Sequence, residues 1–359
     1  MTDELYTEPP VRDGENKKAY LAGITEFIRA SRGKADARRR AAMTPEKIGA
    51  DRERYRRQLV RLLGYPLYGA ARVPAGKTVR IEKVVRDAQS DIFRVTLEPI
   101  AGVPYYGLLF LPAGAGRVRP DRLPEGRGIP LAVAFHGGQG TPELAAGFYG
   151  NSANYNGMIR SLTARGLAVF APQNLLWSVN EYGVPFDRRA LDTDLKQLGG
   201  GITAFELLAV KRSIDRLEEA GFGPFGTAGL SYGGMFALYT AAVDTRIAAA
   251  VSSCFVNDRY TYDWPDLAYK GQALSFMDAE VAALVAPRPL FIEAADEDEV
   301  FSLPGACAAA ERAGAFYVAA GAADRFRFRT FSGKHEFCAD GQGPDFLARA
   351  LTGNDGSIG

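Results

Sequence analysis

The sequence predicts an α/β protein with a mostly parallel central sheet, antiparallel strands at its N-terminal end, helices on both faces and a helical segment in front. Three observations carry this. In the second half of the 359 residues, short apolar runs alternate with helical stretches, as parallel strands covered on both faces do. Ahead of them, Val79 to Val85 and Asp91 to Leu97 alternate apolar and polar residues, the pattern of half-buried antiparallel strands. Residues 225 to 239 read as an apolar strand, a glycine-rich turn and a helix-forming run.

Residues 1–77 form the helical extension. They are rich in Arg, Lys and Glu, with apolar residues at helical spacing: Tyr20, Leu21, Ile24, Phe27 and Ile28, then Tyr55, Leu59, Val60, Leu62 and Leu63. Gly64-Tyr65-Pro66 ends the second stretch. The basic cluster at Arg38, Arg39 and Arg40 is balanced by Glu46, Asp51 and Glu53 and reads as a solvated helix face.

Residues 78–352 form the α/β domain. After the two alternating strands come apolar segments at Tyr105 to Leu111, Pro130 to Phe135, Leu167 to Pro172, Phe225 to Ala228, Ile247 to Ser252, Pro289 to Ile292 and Phe326 to Phe331. The clearest helix lies before the glycine-rich turn. Thr203-Ala204-Phe205-Glu206 has the form of a capping box, and Leu207, Leu208, Val210, Ile214 and Leu217 make its apolar face. Residues 353–359 read as a disordered tail.

A hydrophobic content of 47% supports one large core, and a net charge of +1 gives no case for nucleic acid or an anionic membrane. No apolar run is long enough to span a bilayer. Met1 to Pro10 is polar and acidic, unlike a signal peptide, which points to the cytoplasm. Cys254, Cys307 and Cys338 are too scattered for a disulfide framework or a zinc site. Neither histidine sits in ligand spacing, so no metal or cofactor is expected.

The chemistry centres on Gly229-Leu230-Ser231-Tyr232-Gly233. A turn of this kind strains the serine backbone and lifts its hydroxyl out at the carboxyl end of the sheet. The following helix offers N–H groups to a developing negative charge. A serine hydroxyl needs a base, and the chain holds two histidines, His136 and His335. His335 follows the last strand, where the base arrives when the chain order is serine, acid, histidine. His136 opens His136-Gly137-Gly138 after the strand Pro130 to Phe135 and is read as shaping a loop. Gly137 and Gly138, with the N–H of Tyr232, are the oxyanion-hole candidates. The acid must lie between Ser231 and His335. Of the carboxylates following Pro289 to Ile292, Asp298 lies a short turn beyond the strand and before Val300-Phe301, with Asp296 next in line.

Taken together, His136-Gly137-Gly138, Gly229 to Gly234, Pro287 to Phe301 and Gly333-Lys334-His335 resemble the α/β-hydrolase superfamily. Within it the chain is most similar to the dienelactone-hydrolase-like and acetyl xylan esterase-like branch. Ala237 to Ile247 is similar to the helix and turn behind the nucleophile there, and Ala286-Pro287-Arg288-Pro289-Leu290 to the entry into the acid strand. The resemblance covers about Thr78 to Leu351 and implies an α/β-hydrolase fold with its acid at the position matched by Asp298. Two departures stand out. Dienelactone hydrolases proper use a cysteine where this chain has Ser231, and polymer-acting acetyl xylan esterases are commonly exported. A small soluble ester, such as an acetylated sugar, fits better.

Two loops should wall the site with aromatic rings: Trp177 and Tyr182 in one, Phe255, Tyr260 and Trp264 in the other. The leading expectation is therefore a serine carboxylic-ester hydrolase with Ser231, His335 and Asp298 as its triad. Two other readings stand beside it: a peptidase or amidase like the prolyl oligopeptidases, and a non-catalytic binding protein on the same fold. The N-terminal helices are a candidate surface for self-association.

Overall fold

The computed structural model describes residues 5–114, 119–176 and 184–353. The residues beyond 353 and the calls on Trp177 and Tyr182 lie outside the described residues. The strands are β1 (Val79–Arg86), β2 (Ser90–Ile100), β3 (Val103–Pro112), β4 (Leu131–Phe135), β5 (Ala168–Pro172), β6 (Phe225–Leu230), β7 (Ile247–Ser253), β8 (Leu290–Ala295) and β9 (Phe326–Phe331). They form one sheet in the order β1-β2-β3-β5-β4-β6-β7-β8-β9. The pairings of β1 with β2, β2 with β3 and β3 with β5 are antiparallel, and the others are parallel. Every strand expected from the sequence is present, displaced by a few residues at most.

Side-chain alternation sends each central strand into two cores. On β4, Leu131, Val133 and Phe135 enter one cluster, while Ala132 and Ala134 enter the other. This explains why the central strands read as continuous apolar runs: neither face meets water.

The helices are α1 (Val11–Ala42), α2 (Pro45–Ala50), α3 (Arg52–Leu63), α4 (Pro142–Ala145), α5 (Met158–Thr163), α6 (Arg188–Gln197), α7 (Ile202–Glu219), α8 (Tyr232–Val243), α9 (Gln272–Ser275), α10 (Asp278–Ala283), α11 (Leu303–Ala319) and α12 (Gln342–Thr352). Side chains of α7, α8, α10 and α11 fill the first core, and those of α5 and α12 the second. The helical extension shares the first core through Met43, Ile48, Tyr55, Leu59 and Leu63. Arg56, buried on α3, donates to the carbonyls of Ala242 (2.8 Å) and Leu284 (3.0 Å), so it satisfies backbone groups at the end of α8 and beyond α10. Among the described residues no helix is long and apolar enough to cross a membrane.

One local expectation is corrected. Thr203 does not cap α7: the helix starts at Ile202 behind Gly201, and Thr203 Oγ1 donates to Asp266 O at 2.8 Å. Glu206 is turned toward Arg188 and Leu175 instead of the helix start. A buried cation competes better for that carboxylate than a helix terminus does.

Parallel winding brings the carboxyl ends of β4, β6, β7, β8 and β9 to one edge of the sheet, where loops can converge on a site. The turn between β6 and α8 lies on that edge, packed backbone against backbone. A Cβ at Gly229 would fall 2.2 Å from the carbonyl oxygen of Gly233, and one at Gly233 would fall 2.2 Å from that of Phe135. Backbone cannot yield as a flexible side chain does. Gly233→Ala is therefore expected to destabilise the protein by at least about 1–3 kcal/mol, the usual range for overpacking, as read from urea unfolding. An unfolding midpoint equal to wild type would contradict this packing.

Candidate active site

Ser231 sits between β6 and α8 with φ 60° and ψ −124°. This is a costly conformation for a residue with a side chain, and it persists only because its surroundings hold it. The Ser231 N–H donates to Ser253 O at 2.9 Å, anchoring the turn to the end of β7. The loop after β4 lies against it: a Cβ at Gly137 would come 3.4 Å from Ser231 Cβ.

The loops after β8 and β9 bring Asp298 and His335 together. His335 Nδ1 lies 3.1 and 3.0 Å from the two Asp298 carboxylate oxygens. Asp298 also accepts from the N–H groups of Val300 (2.8 Å) and Phe301 (2.9 Å). Burial alone would raise the Asp298 carboxyl, but the His335 contact and these two amides outweigh it and hold it below its ordinary value. Asp298 is thus an anion that fixes the imidazole with Nδ1 protonated and Nε2 directed elsewhere. The neighbouring acids hold the loop. Asp296 accepts from the Gly333 N–H (3.0 Å), and Glu299 from the His335 N–H (3.2 Å). Among the described residues Ser231 Oγ is not hydrogen-bonded to the His335 ring, a separation common before substrate arrives.

Cys254, in the residue after β7, also touches this pair. Its Sγ, the Asp298 carboxylate and a His335 ring nitrogen lie within 4.8 Å of one another. Cys254 has a positive φ of 47°, and its thiol donates to Glu336 O at 3.3 Å. Burial, with Asp298 adding to it, pushes the thiol far above its ordinary range, so Cys254 stays protonated and is no competing nucleophile. A second acid and thiol group, Glu293, Cys338 and Asp340, already holds a cation. Arg329 places Nη1 2.6 Å from Asp340 and donates from Nη2 to Cys338 Sγ at 2.9 Å.

His136 is no proton carrier. It is fully buried, and burial lowers it to about 4 despite the Gly137 carbonyl. Its Nδ1–H donates to Gly137 O (2.8 Å), while Nε2 accepts from the Asn174 N–H (3.1 Å) and faces Gln173 Nε2 at 3.2 Å. The neutral ring ties the loop after β4 to the loop after β5. One candidate donor is corrected here: the Gly137 N–H is given to Tyr155 Oη at 2.7 Å. Gly138 follows it on the buried loop, and Tyr232 occupies the first position of α8, where an N–H lacks an intrahelical partner.

The aromatic residues divide. Trp264 stacks on Tyr232, with ring centroids 5.2 Å apart, and packs edge-on against Phe301, which lies 5.5 Å from the His335 ring. Trp264 and Tyr232 also line a cavity of about 350 Å³ with Arg189 and Asp187. Phe255 is corrected from wall to support, because it is 2% exposed beneath Phe301 and Arg259. Tyr260 turns to the helical extension, donating to Asp36 at 3.0 Å under the Arg32 guanidinium.

Three residues carry more of this site than the sequence suggested. Buried Arg188 donates to Asp266 (2.7 Å), Glu206 (2.9 Å) and Leu175 O (2.5 Å), and Tyr232 Oη donates to Asp266 at 3.1 Å. Burial disfavours the Arg188 charge, but Glu206 and Asp266 outweigh it and keep the guanidinium ionised. The node joins α6, α7 and the segments after β5 and β7 to the residue after Ser231. Pairwise spacing along the chain holds no signal for it, since Arg188, Glu206 and Asp266 belong to different elements.

The chain superimposes on a methylesterase with a TM-score of 0.63 at 16% identity, covering 89% of this chain and 68% of that one. It superimposes on a proposed acetyl xylan esterase from Bacteroides fragilis with 0.60 at 13% identity (86% and 84% covered). A glucuronoyl esterase from Solibacter usitatus gives 0.60 at 15% identity (85% and 93% covered). The fold is that of the α/β hydrolases. By sequence, no family model and no curated protein matches the chain. The likeness is thus one of architecture, and the α/β-hydrolase neighbours named here are esterases.

Two outcomes are expected from this geometry. Tyr155→Phe leaves the Gly137 N–H without its partner and should cost about 1–3 kcal/mol in urea unfolding, the usual penalty for an unsatisfied buried donor. An unfolding midpoint equal to wild type would contradict this role of Tyr155. For His136 the folded value lies below the unfolded one, near 6.5, so its contribution to stability is complete above that pH and is lost as pH falls toward about 4. Unfolding measured between these limits should weaken more steeply in wild type than in His136→Asn, and parallel curves would contradict the assignment.

Proposed function

We propose that this protein is a serine carboxylic-ester hydrolase acting through an acyl-enzyme. The observation that carries the reading is the Asp298–His335 pair, held in loops at the same sheet edge as a serine on a strained strand-to-helix turn. Ser231 Oγ attacks the acyl carbon while His335 Nε2 takes its proton. Asp298 stabilises the imidazolium. His335 then protonates the leaving alcohol, water attacks the acyl-enzyme with His335 again as base, and Ser231 is restored. The N–H groups of Tyr232 and Gly138 receive the oxyanion, and Gly137 shapes the loop through its bond to Tyr155.

A small soluble ester fits the site, an acetylated sugar being the preferred class. Trp264 offers an apolar face beside a cavity of about 350 Å³, and Arg189 and Asp187 supply polar groups at its wall. The structural neighbours act on esters by name, which agrees with this class. The three cysteines are free thiols, in keeping with a reducing cytoplasm.

The test is a series of p-nitrophenyl esters, from acetyl to octanoyl. Activity should be highest on acetyl and fall with chain length. Ser231→Ala and His335→Ala should remove it, and Asp298→Asn should lower kcat by roughly 10³–10⁴. Full activity in Ser231→Ala, or faster turnover of anilides than of esters, would overturn the proposal.

A further inference from the structure

The last turns of α1 dock on the body. Arg39 donates to Ala273 O at 2.6 Å and pairs with Glu280, and Asp36 accepts from Tyr260. Ahead of them the helix runs on alone. From Val11 to Ala30 nearly every residue is exposed, along about 30 Å of helix. In proteins most of a helix's stability comes from packing an apolar face. Yet between Tyr20 and Ile28 this stretch carries five large apolar side chains, with Tyr20 and Phe27 each 73% exposed and Ile24 39%.

Their spacing is the informative part. Tyr20, Leu21, Ile24, Phe27 and Ile28 stand at −4, −3, 0, +3 and +4 around Ile24. At 100° per residue they form one stripe within about 60° of Ile24 on either side. The stripe also reads the same in both directions. A partner helix running the opposite way, with its own Ile24 on the same two-fold axis, sets residue i against residue 48 − i. Tyr20 then meets Ile28, Leu21 meets Phe27, and Ile24 meets itself. Self-complementarity of this kind is what an isologous contact requires.

The charges follow the same register. Asp13 is the acid on the stripe's face, where Lys17 pairs with it at 2.7 Å, and Glu15 and Glu26 fall on the opposite side. In the antiparallel pair Asp13 comes opposite residue 35, beside Arg32, Lys34 and Arg38 of the second copy. Among the described residues none of these three bases has an ion-pair partner, although Arg32 lies over the Tyr260 ring. The side of α1 that packs on the body at Arg39 lies about 60° round the helix from Ile24. A membrane surface would favour basic residues along the whole polar face, which Glu15 and Glu26 interrupt.

We infer that a second copy of this chain covers the stripe, and that the two α1 helices pair antiparallel about Ile24. The pairing clamps the helix whose docked half holds Tyr260 through Asp36. It does not rest on the esterase reading.

The experiment uses the full chain with the exposed Cys307 replaced by serine. Sedimentation at micromolar concentration should give twice the chain mass of 38.7 kDa. Ile24→Glu places two like charges on the axis and should weaken the dimer roughly a hundredfold or more, while leaving ester turnover per subunit unchanged. Ile24→Cys should oxidise to a disulfide-linked dimer. Tyr20→Cys alone should not, whereas Tyr20→Cys with Ile28→Cys should. A monomeric wild type, a dimer insensitive to Ile24→Glu, or self-linking by Tyr20→Cys, the mark of a parallel pair, would overturn the inference. So would a monomer that sediments with anionic vesicles.

Discussion

Everything at this site hangs on how closely three backbones approach one another behind Ser231. The carbonyl of Phe135 at the end of β4 presses on Gly233, and the carbonyl of Gly233 presses on Gly229. Side chains at either glycine would open the turn. With the turn closed, Ser231 is held at a positive φ and roped to β7 by its own N–H. The neighbouring strand ends follow from this. β7 delivers Cys254 beside the Asp298–His335 pair, and β4 delivers the His136 loop against the serine. The strain is local, and the two buried cores behind the sheet absorb it.

Around this point the loops are fastened by buried polar groups rather than by apolar contact alone. His136 stays neutral and bridges two loops. Arg188 stays charged and bridges two carboxylates and a carbonyl. The distinction matters for how each would fail. Removing a partner of a buried charge strands that charge, which costs several times more than losing a neutral hydrogen bond. Arg188, Glu206 and Asp266 therefore act as a unit, with Tyr232 attached to it through Asp266.

Much of this was legible in the residues. Strand positions could be read because central parallel strands are apolar throughout and bounded by turns. The Ser231 turn could be read because its glycines answer a steric demand. Asp298 stood out from its neighbours because it lies a short turn beyond the strand and just before Val300-Phe301, whose N–H groups are found to donate to it. What could not be read depends on contacts distant in the chain. Thr203 and Glu206 have the spacing of a cap, but a buried arginine on another helix claims the carboxylate. Gly137 has the right place for an oxyanion donor, but Tyr155, from a short helical turn 18 residues on, takes its N–H. Phe255 and Tyr260 fall on the expected loop yet face the body and α1, because Arg259 and Asp36 turn them there.

The role of Ser231 is tested most directly by covalent labelling with a serine-directed phosphonate, followed by mass spectrometry of the intact and digested protein. One adduct per chain is expected, located on Ser231 and formed far more slowly in His335→Ala. Labelling at another residue, or no labelling of a folded protein, would contradict it.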